Sequence, residues 1–244
     1  MIKSLFIDLD DTLWATQENN KAALEELYIA HNWSRGYASF EELFNRYYPN
    51  NEQLWHEYRE GRISKHELTI RRFSFFLEPF CDASEEEILQ INDEFLERTA
   101  CKSGVIEGAH ELLEYLHGLY KIVIVSNGFI EVQHRKMESA GLTPYLDYVV
   151  LSEDAGVSKP AKGIMEYALN ISNSRRSETL FIGDSWEADI RAAQNVGIPS
   201  IWFNPDQKEP PRPLDEFPYP IYEVAKLQEI IPLLKKLMIK SYYL

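Results

Sequence analysis

Short apolar runs recur along this chain, each followed by a segment of helical period, and that alternation leaves little choice of fold. Ser4 to Leu9 is the first run. Ile122 to Val125, Tyr148 to Leu151, Thr179 to Ile182 and Pro199 to Phe203 follow. Between them lie amphipathic stretches over Ala109 to Gly118, Glu131 to Ala140, Gly163 to Ile171 and Ala188 to Asn195, the last closed by Gly197. Strands this uniformly apolar need cover on both faces. The pattern therefore predicts βαβ units, a parallel sheet and a doubly wound α/β core.

The stretch between the first strand and Gly104 breaks the alternation. It carries only helix-period segments: Asn19 to His31, Phe40 to Tyr47, Asn51 to Arg59, Ser64 to Leu77 and Ser84 to Thr99. This predicts a helical domain over 16–102 inserted into a core formed by 1–15 and 103–244. The insert is rich in aromatics, among them Trp33, Tyr47, Trp55 and Phe76, most of which are expected to pack a small helical bundle. Pro205 to Pro220 reads as a surface loop before a terminal helix around Val224 to Met238.

Composition narrows the function classes. A formal net charge of -14 makes a nucleic-acid polymer or an anionic membrane a poor partner, while a small phosphate ester needs only local positive charge. The first apolar run begins almost at the N-terminus and meets Asp8 at once, so neither a signal-peptide core nor a membrane span is expected, and a cytoplasmic address follows. Cys81 and Cys101 are too few for a disulfide framework and read as reduced structural thiols. The histidines lack zinc-ligand spacing.

The strand ends carry the chemistry. In an open parallel sheet, reactive groups gather just beyond the carboxyl ends of the strands. The first strand ends in Asp8-Leu9-Asp10-Asp11-Thr12-Leu13 and the second in Ser126-Asn127-Gly128. The loop after the third carries Ser158-Lys159-Pro160, and the fourth ends in Gly183-Asp184-Ser185-Trp186-Glu187-Ala188-Asp189. Carboxylates, a hydroxyl and an ammonium thus converge on one edge. In residue type, order and strand-end context, these four motifs resemble those of the haloacid dehalogenase superfamily. The resemblance covers essentially the whole core, and the helical insert looks like that family's cap. Glu107-Gly108 stands where many relatives have Pro-Gly.

A carboxylate such as Asp8 can attack phosphorus and form an aspartyl-phosphate. Because a phosphate dianion repels a carboxylate, a hard divalent cation is needed, and Mg2+ suits oxygen ligands. The resemblance implies Asp8, Asp184 and the main-chain carbonyl of Asp10 as ligands, with the Asp10 side chain as general acid and then base. Lys159 would stabilise the phosphoryl oxygens, with Thr12, Ser126 and the Asn127 backbone N–H as further donors. Asp189 either orients Lys159 or a metal-bound water, or is a helix N-terminal acid.

A dehalogenase needs no metal and lacks the second carboxylate, which favours a phosphatase. The stretches around Ser126, Lys159 and Asp184 look like the pyrimidine nucleoside 5'-monophosphatase subgroup. That resemblance implies a Mg2+-dependent phosphomonoesterase with Tyr47, Trp55 or Phe76 as candidates for stacking on a base. The alternatives are a phosphatase of sugar phosphates or other small esters, and a non-catalytic binding protein of the same fold. A monomer or weak homodimer is expected, with hinges near Trp14 to Asn19 and Cys101 to Gly104.

Overall fold

In the computed structural model, which describes residues 1–80 and 83–242, the chain opens with β1 (Ser4–Ile7) and continues through α1 (Thr16–Ala30), α2 (Phe40–Arg59), α3 (Lys65–Leu77) and α4 (Glu85–Ala100). It then alternates: α5 (Ala109–Leu116), β2 (Lys121–Ser126), α6 (Ile130–Ser139), β3 (Tyr148–Leu151), α7 (Ser152–Ala155), α8 (Lys162–Ile171), β4 (Thr179–Gly183), α9 (Arg191–Val196), β5 (Ser200–Phe203), β6 (Ile221–Val224) and α10 (Ile230–Tyr242). Two compact units result. One comprises Met1–Thr16 with Ser103–Leu244, the other Gln17–Lys102.

The first unit is an all-parallel sheet in the order β3-β2-β1-β4-β5-β6. The chain winds outward from β1 to β3 and then resumes on the other side of β1 with β4, so the topological switch lies between β1 and β4. Successive side chains of a strand point to opposite faces. Leu5, Ile7, Ile122, Ile124, Leu180 and Ile182 accordingly pack with Leu112, Leu113 and Leu116 of α5 and Ile230 and Leu234 of α10. Phe6, Val123, Val125 and Phe181 pack on the opposite face with Ile164 and Met165 of α8 and Ala192 and Val196 of α9. Every residue of β1 is buried, which fixes the strand end that delivers Asp8.

The second unit packs Leu43, Phe44 and Tyr47 of α2 against Phe73 and Leu77 of α3 and Ile88, Ile91 and Phe95 of α4. Its α3 and α4 start in capping boxes, Ser64 with Glu67 and Ser84 with Glu87. Among the described residues, no helix is long and apolar enough to cross a membrane.

Several expectations need correction. The two helices read over Phe40 to Tyr47 and Asn51 to Arg59 are one, because the buried stripe of Tyr47, Asn51 and Leu54 runs on past Pro49. Val224, expected to open the terminal helix, instead closes a strand, Ile221–Val224, and the helix begins at Ile230. The segment after Asp184 opens with a π turn, Trp186–Ile190, before α9. Cys101 is exposed, so it is no buried structural thiol, and Cys81 lies outside the described residues. Tyr47 is only 1% exposed, its ring against Phe73 and Phe95, so it has no free face for a base. The Trp55 ring meets Tyr58 edge-on and has the Arg72 guanidinium over it. The side chain of Phe76 is outside the described ones.

Candidate active site

The Asp8 N–H still donates to the Ile182 carbonyl at 2.9 Å, so ladder bonding carries one residue past β1 and holds the Asp8 backbone against β4. Its side chain is buried. Lys159, 1% exposed, reaches it from the loop after β3. The Lys159 ammonium donates to Asp8 Oδ1, to Asp189 Oδ1 at 2.7 Å and to the Val125 carbonyl at 2.7 Å. An ammonium has three protons, and each finds an acceptor. Burial alone would lower the Lys159 pKa, but Asp189 and Asp8 outweigh it and keep the ammonium protonated.

Two other loops lock this arrangement. Asn127 clamps the lysine's backbone: its Oδ1 accepts from Lys159 N at 2.7 Å and its Nδ2 donates to Lys159 O at 3.0 Å. Asp189, buried beneath β4 by the π turn, also accepts from Ser185 N at 3.0 Å. Gly183 makes that approach possible, since a Cβ there would lie 2.4 Å from Asp189 Oδ2. Thr12 joins the first and fourth strand ends, its hydroxyl donating to Asp184 Oδ1 at 2.9 Å and accepting from Asp184 N at 3.1 Å. The Trp202 indole N–H holds the Asp184 carbonyl at 2.9 Å.

Asp8, Asp184 and Asp189 each offer an oxygen, all within 4.8 Å of one another. Burial first, then the neighbouring Asp189 and Asp10 against the opposing pull of Lys159, push the Asp8 carboxyl up to about 8. Burial, Asp189 and Asp8 likewise raise Asp184 well above the carboxylate range. One lysine is too little positive charge for three clustered carboxylates, two of them buried and Asp184 half-buried, and the cluster suits a cation. An all-oxygen donor set fits Mg2+. Both Asp189 oxygens accept hydrogen bonds, from Lys159 and Ser185, and Asp8 accepts from Lys159 and, at 3.4 Å, from the Thr12 hydroxyl. The side chain of Asp10 stands outside this cluster.

Asp10 has a separate setting. Its Oδ1 accepts from Lys136 Nζ at 2.8 Å and Thr16 Oγ1 at 3.1 Å, and its Oδ2 from Gln133 Nε2 at 2.5 Å and Ser126 Oγ at 3.4 Å. Burial would raise its pKa, but Lys136 and these donors prevail and hold it below the usual value. Two carboxylates two residues apart thus have separate cationic partners, Lys159 for Asp8 and Lys136 for Asp10. Gln133 and Lys136 escaped the sequence reading, which took α6 only as an amphipathic cover helix. Their spacing of three, just after Ser126-Asn127-Gly128, was the available signal.

A parallel sheet with this strand order and reactive side chains at the ends of β1, β2 and β4 and in the loop after β3 defines a doubly wound α/β fold with its candidate site at the switch point. The profile of haloacid dehalogenase-like hydrolases matches residues 2–197. A pyrimidine 5'-nucleotidase, YjjG of Escherichia coli, is 32% identical over 95% of this chain and 97% of its own length. The pyrimidine 5'-nucleotidase PynA of Streptococcus pneumoniae is 31% identical over 96% and 95%. A crystal structure of the putative hydrolase YfnB of Bacillus subtilis, described as bound to magnesium and showing interdomain movement, superposes with a TM-score of 0.83 at 30% identity, covering 96% of this chain and 98% of that one. The chain belongs to the haloacid dehalogenase-like hydrolases.

Proposed function

We propose that this hydrolase is a Mg2+-dependent phosphomonoesterase that carries the phosphoryl group on Asp8 and acts on nucleoside 5'-monophosphates, pyrimidines preferred. The observation that carries the chemistry is the division of charge: Lys159 is shared by Asp8 and Asp189 while Asp10 is held apart by its own donors. Asp8 and Asp184, with the main-chain carbonyl of Asp10, would hold Mg2+, which when bound offsets the charge of carboxylate and phosphate.

In the first half, an Asp8 oxygen bonds to phosphorus while the bond from phosphorus to the ester oxygen breaks. The electron pair leaves on that oxygen, which takes a proton from the Asp10 carboxyl and departs as the alcohol. Negative charge arriving with the ester favours the protonated Asp10 that this half requires. In the second half, water gives a proton to the Asp10 carboxylate and bonds to phosphorus, the bond to Asp8 breaks, and inorganic phosphate leaves. Lys159, with Ser126 and the Asn127 backbone N–H, stabilises the phosphoryl oxygens as charge shifts. The Thr12 hydroxyl is engaged by Asp184, so Thr12 orients that carboxylate rather than the phosphate. Asp189 acts by holding Lys159. The names of the two similar pyrimidine 5'-nucleotidases support the substrate class.

The test is phosphate release with Mg2+ from a panel of nucleoside monophosphates, sugar phosphates and small esters, beside an Asp10→Asn control. Preference for pyrimidine monophosphates, lost in the control, is the expected result. Preference for sugar phosphates replaces the nucleotidase reading with a sugar phosphatase. No release from any ester leaves a binding protein of the same fold.

A further inference from the structure

We propose that Gln133 and Lys136 of α6 are positioning residues that fix the Asp10 carboxyl for proton transfer. The inference rests on Asp10 being the proton-transfer group. Long polar side chains are seldom buried unless something holds them, yet Gln133 is 0% and Lys136 8% exposed. Both project from one face of α6, three residues apart, and both end on the same carboxylate. Lys136 Nζ sits 2.8 Å from Asp10 Oδ1 and 4.2 Å from the centroid of the buried Trp14 ring, so the ammonium is seated between a charge and an aromatic face. Gln133 Nε2 donates to Asp10 Oδ2 at 2.5 Å and to Ser126 Oγ at 2.6 Å.

Two details argue that Gln133 is there to donate. Its Oε1 is buried with no hydrogen-bond partner, and turning the amide over would aim that oxygen at a carboxylate, so one orientation is enforced. Gly128, in turn, leaves room for it: a Cβ at Gly128 would lie 1.9 Å from Gln133 Nε2. Asp10 itself is less enclosed, with 26% of its side chain exposed, as a group meeting ester and water must be. Lys136 on one oxygen and Gln133 on the other stop the carboxyl from swinging, and proton transfer is sensitive to displacements of about 1 Å, which can cost about a hundredfold.

The experiment compares kcat/KM, with Mg2+ present, for an alkyl ester and for 4-nitrophenyl phosphate, whose leaving group needs no proton. The alkyl ester is the best nucleoside monophosphate. Asp10→Asn is the reference, Gln133→Glu removes the donor without changing shape, Lys136→Met removes the charge, and Lys136→Arg restores it. In Gln133→Glu and Lys136→Met, kcat/KM for the alkyl ester should fall by about 10- to 100-fold through kcat, KM staying within about threefold, while the aryl ester loses less than about threefold. Lys136→Arg should recover most of the loss. If Asp10→Asn shows no such contrast between esters, the acid role of Asp10 fails and takes this inference with it. If Asp10→Asn shows the contrast but Gln133→Glu and Lys136→Met slow both esters equally, or neither, the positioning role alone is overturned. Should Lys136→Met fail to fold, the isosteric Gln133→Glu decides.

Discussion

Gly183→Ala tests whether the buried lysine depends on the π turn beneath it. Nothing in the backbone forbids the substitution, since Gly183 is not among the glycines of positive φ. The obstacle is space: the new Cβ would meet Asp189 Oδ2, Cγ and Cβ at 2.4, 2.5 and 2.6 Å. Because Cβ is among them, a rotamer change does not clear the clash and the turn must retreat by about 1 Å, an overpacking cost of about 1–3 kcal/mol. Asp189 then leaves Lys159, and breaking a buried pair costs about 3–5 kcal/mol when one partner goes. Lys159 keeps Asp8 and the Val125 carbonyl, so the combined loss is set at about 3 kcal/mol. In a chain of this size that lowers the melting temperature by about 6–12 °C, and the displaced ammonium lowers kcat by at least about tenfold. Thermal unfolding and steady-state phosphate release at one Mg2+ concentration read both. Gly163→Ala is the control, for its Cβ would meet only the tip of the exposed Val157, at 2.9 Å. If Gly183→Ala melts within about 1 °C of the parent and turns over within about twofold of it, Lys159 is not held by Asp189.

Other outcomes follow from the same geometry. Saturating Mg2+ should stabilise the protein by about 2.7 kcal/mol at a hundred times its Kd, seen as a rise in melting temperature that EDTA reverses; an unchanged melt sinks the cation reading of Asp8 and Asp184. Asp8→Asn should abolish phosphate release and leave no phosphate on its peptide in acid-quenched mass spectra, whereas slow but persistent labelling would point to another acceptor. Glu67 and Glu87 are held below the usual carboxylate value first by the Ser64 and Ser84 backbone N–H groups. Their contribution is therefore complete above the unfolded value of 4.5 and is lost as pH falls through the depressed one. Acid titration followed by far-UV circular dichroism should show this loss, and Ser64→Ala with Ser84→Ala should flatten it.

Much of the core could be read in the sequence because its strands are buried on both faces and end in chemically distinctive residues. Asp8, Ser126 and Asp184 announce themselves by standing at or just past the ends of apolar runs, and Lys159 by its place in the loop that follows the third run. Gln133 and Lys136 do not: on α6 a glutamine and a lysine look like any solvated helix face, and only the fold turns that face onto Asp10. Pro49 misled in the other direction, since a proline reads as a break while the apolar stripe that continues past it decides the helix. At the far end, Pro232 was the overlooked signal. A helix beginning at Val224 would have placed it deep in the interior, whereas one beginning at Ile230 places it in the first turn, where no amide proton is missed.

The point where the chain leaves the sheet unit lies beside the point where it returns. Trp14 and Val105 form an antiparallel bridge, Ala15 N donates to the Gly104 carbonyl at 3.1 Å, and Ile106 N donates to the Leu13 carbonyl at 2.9 Å. The two crossings are thus stitched into a short ribbon whose ends already meet, so whatever is spliced beyond them adds little closure entropy. Such a socket accepts exchange: a tight turn, or a different module altogether, could be seated between Thr16 and Ser103 without disturbing the strands that carry Asp8 and Asp184 or the hydroxyl that Thr16 gives to Asp10. The insert of this architecture can therefore be exchanged as a unit while Asp8, Asp10, Lys159 and Asp184 keep their places on the sheet.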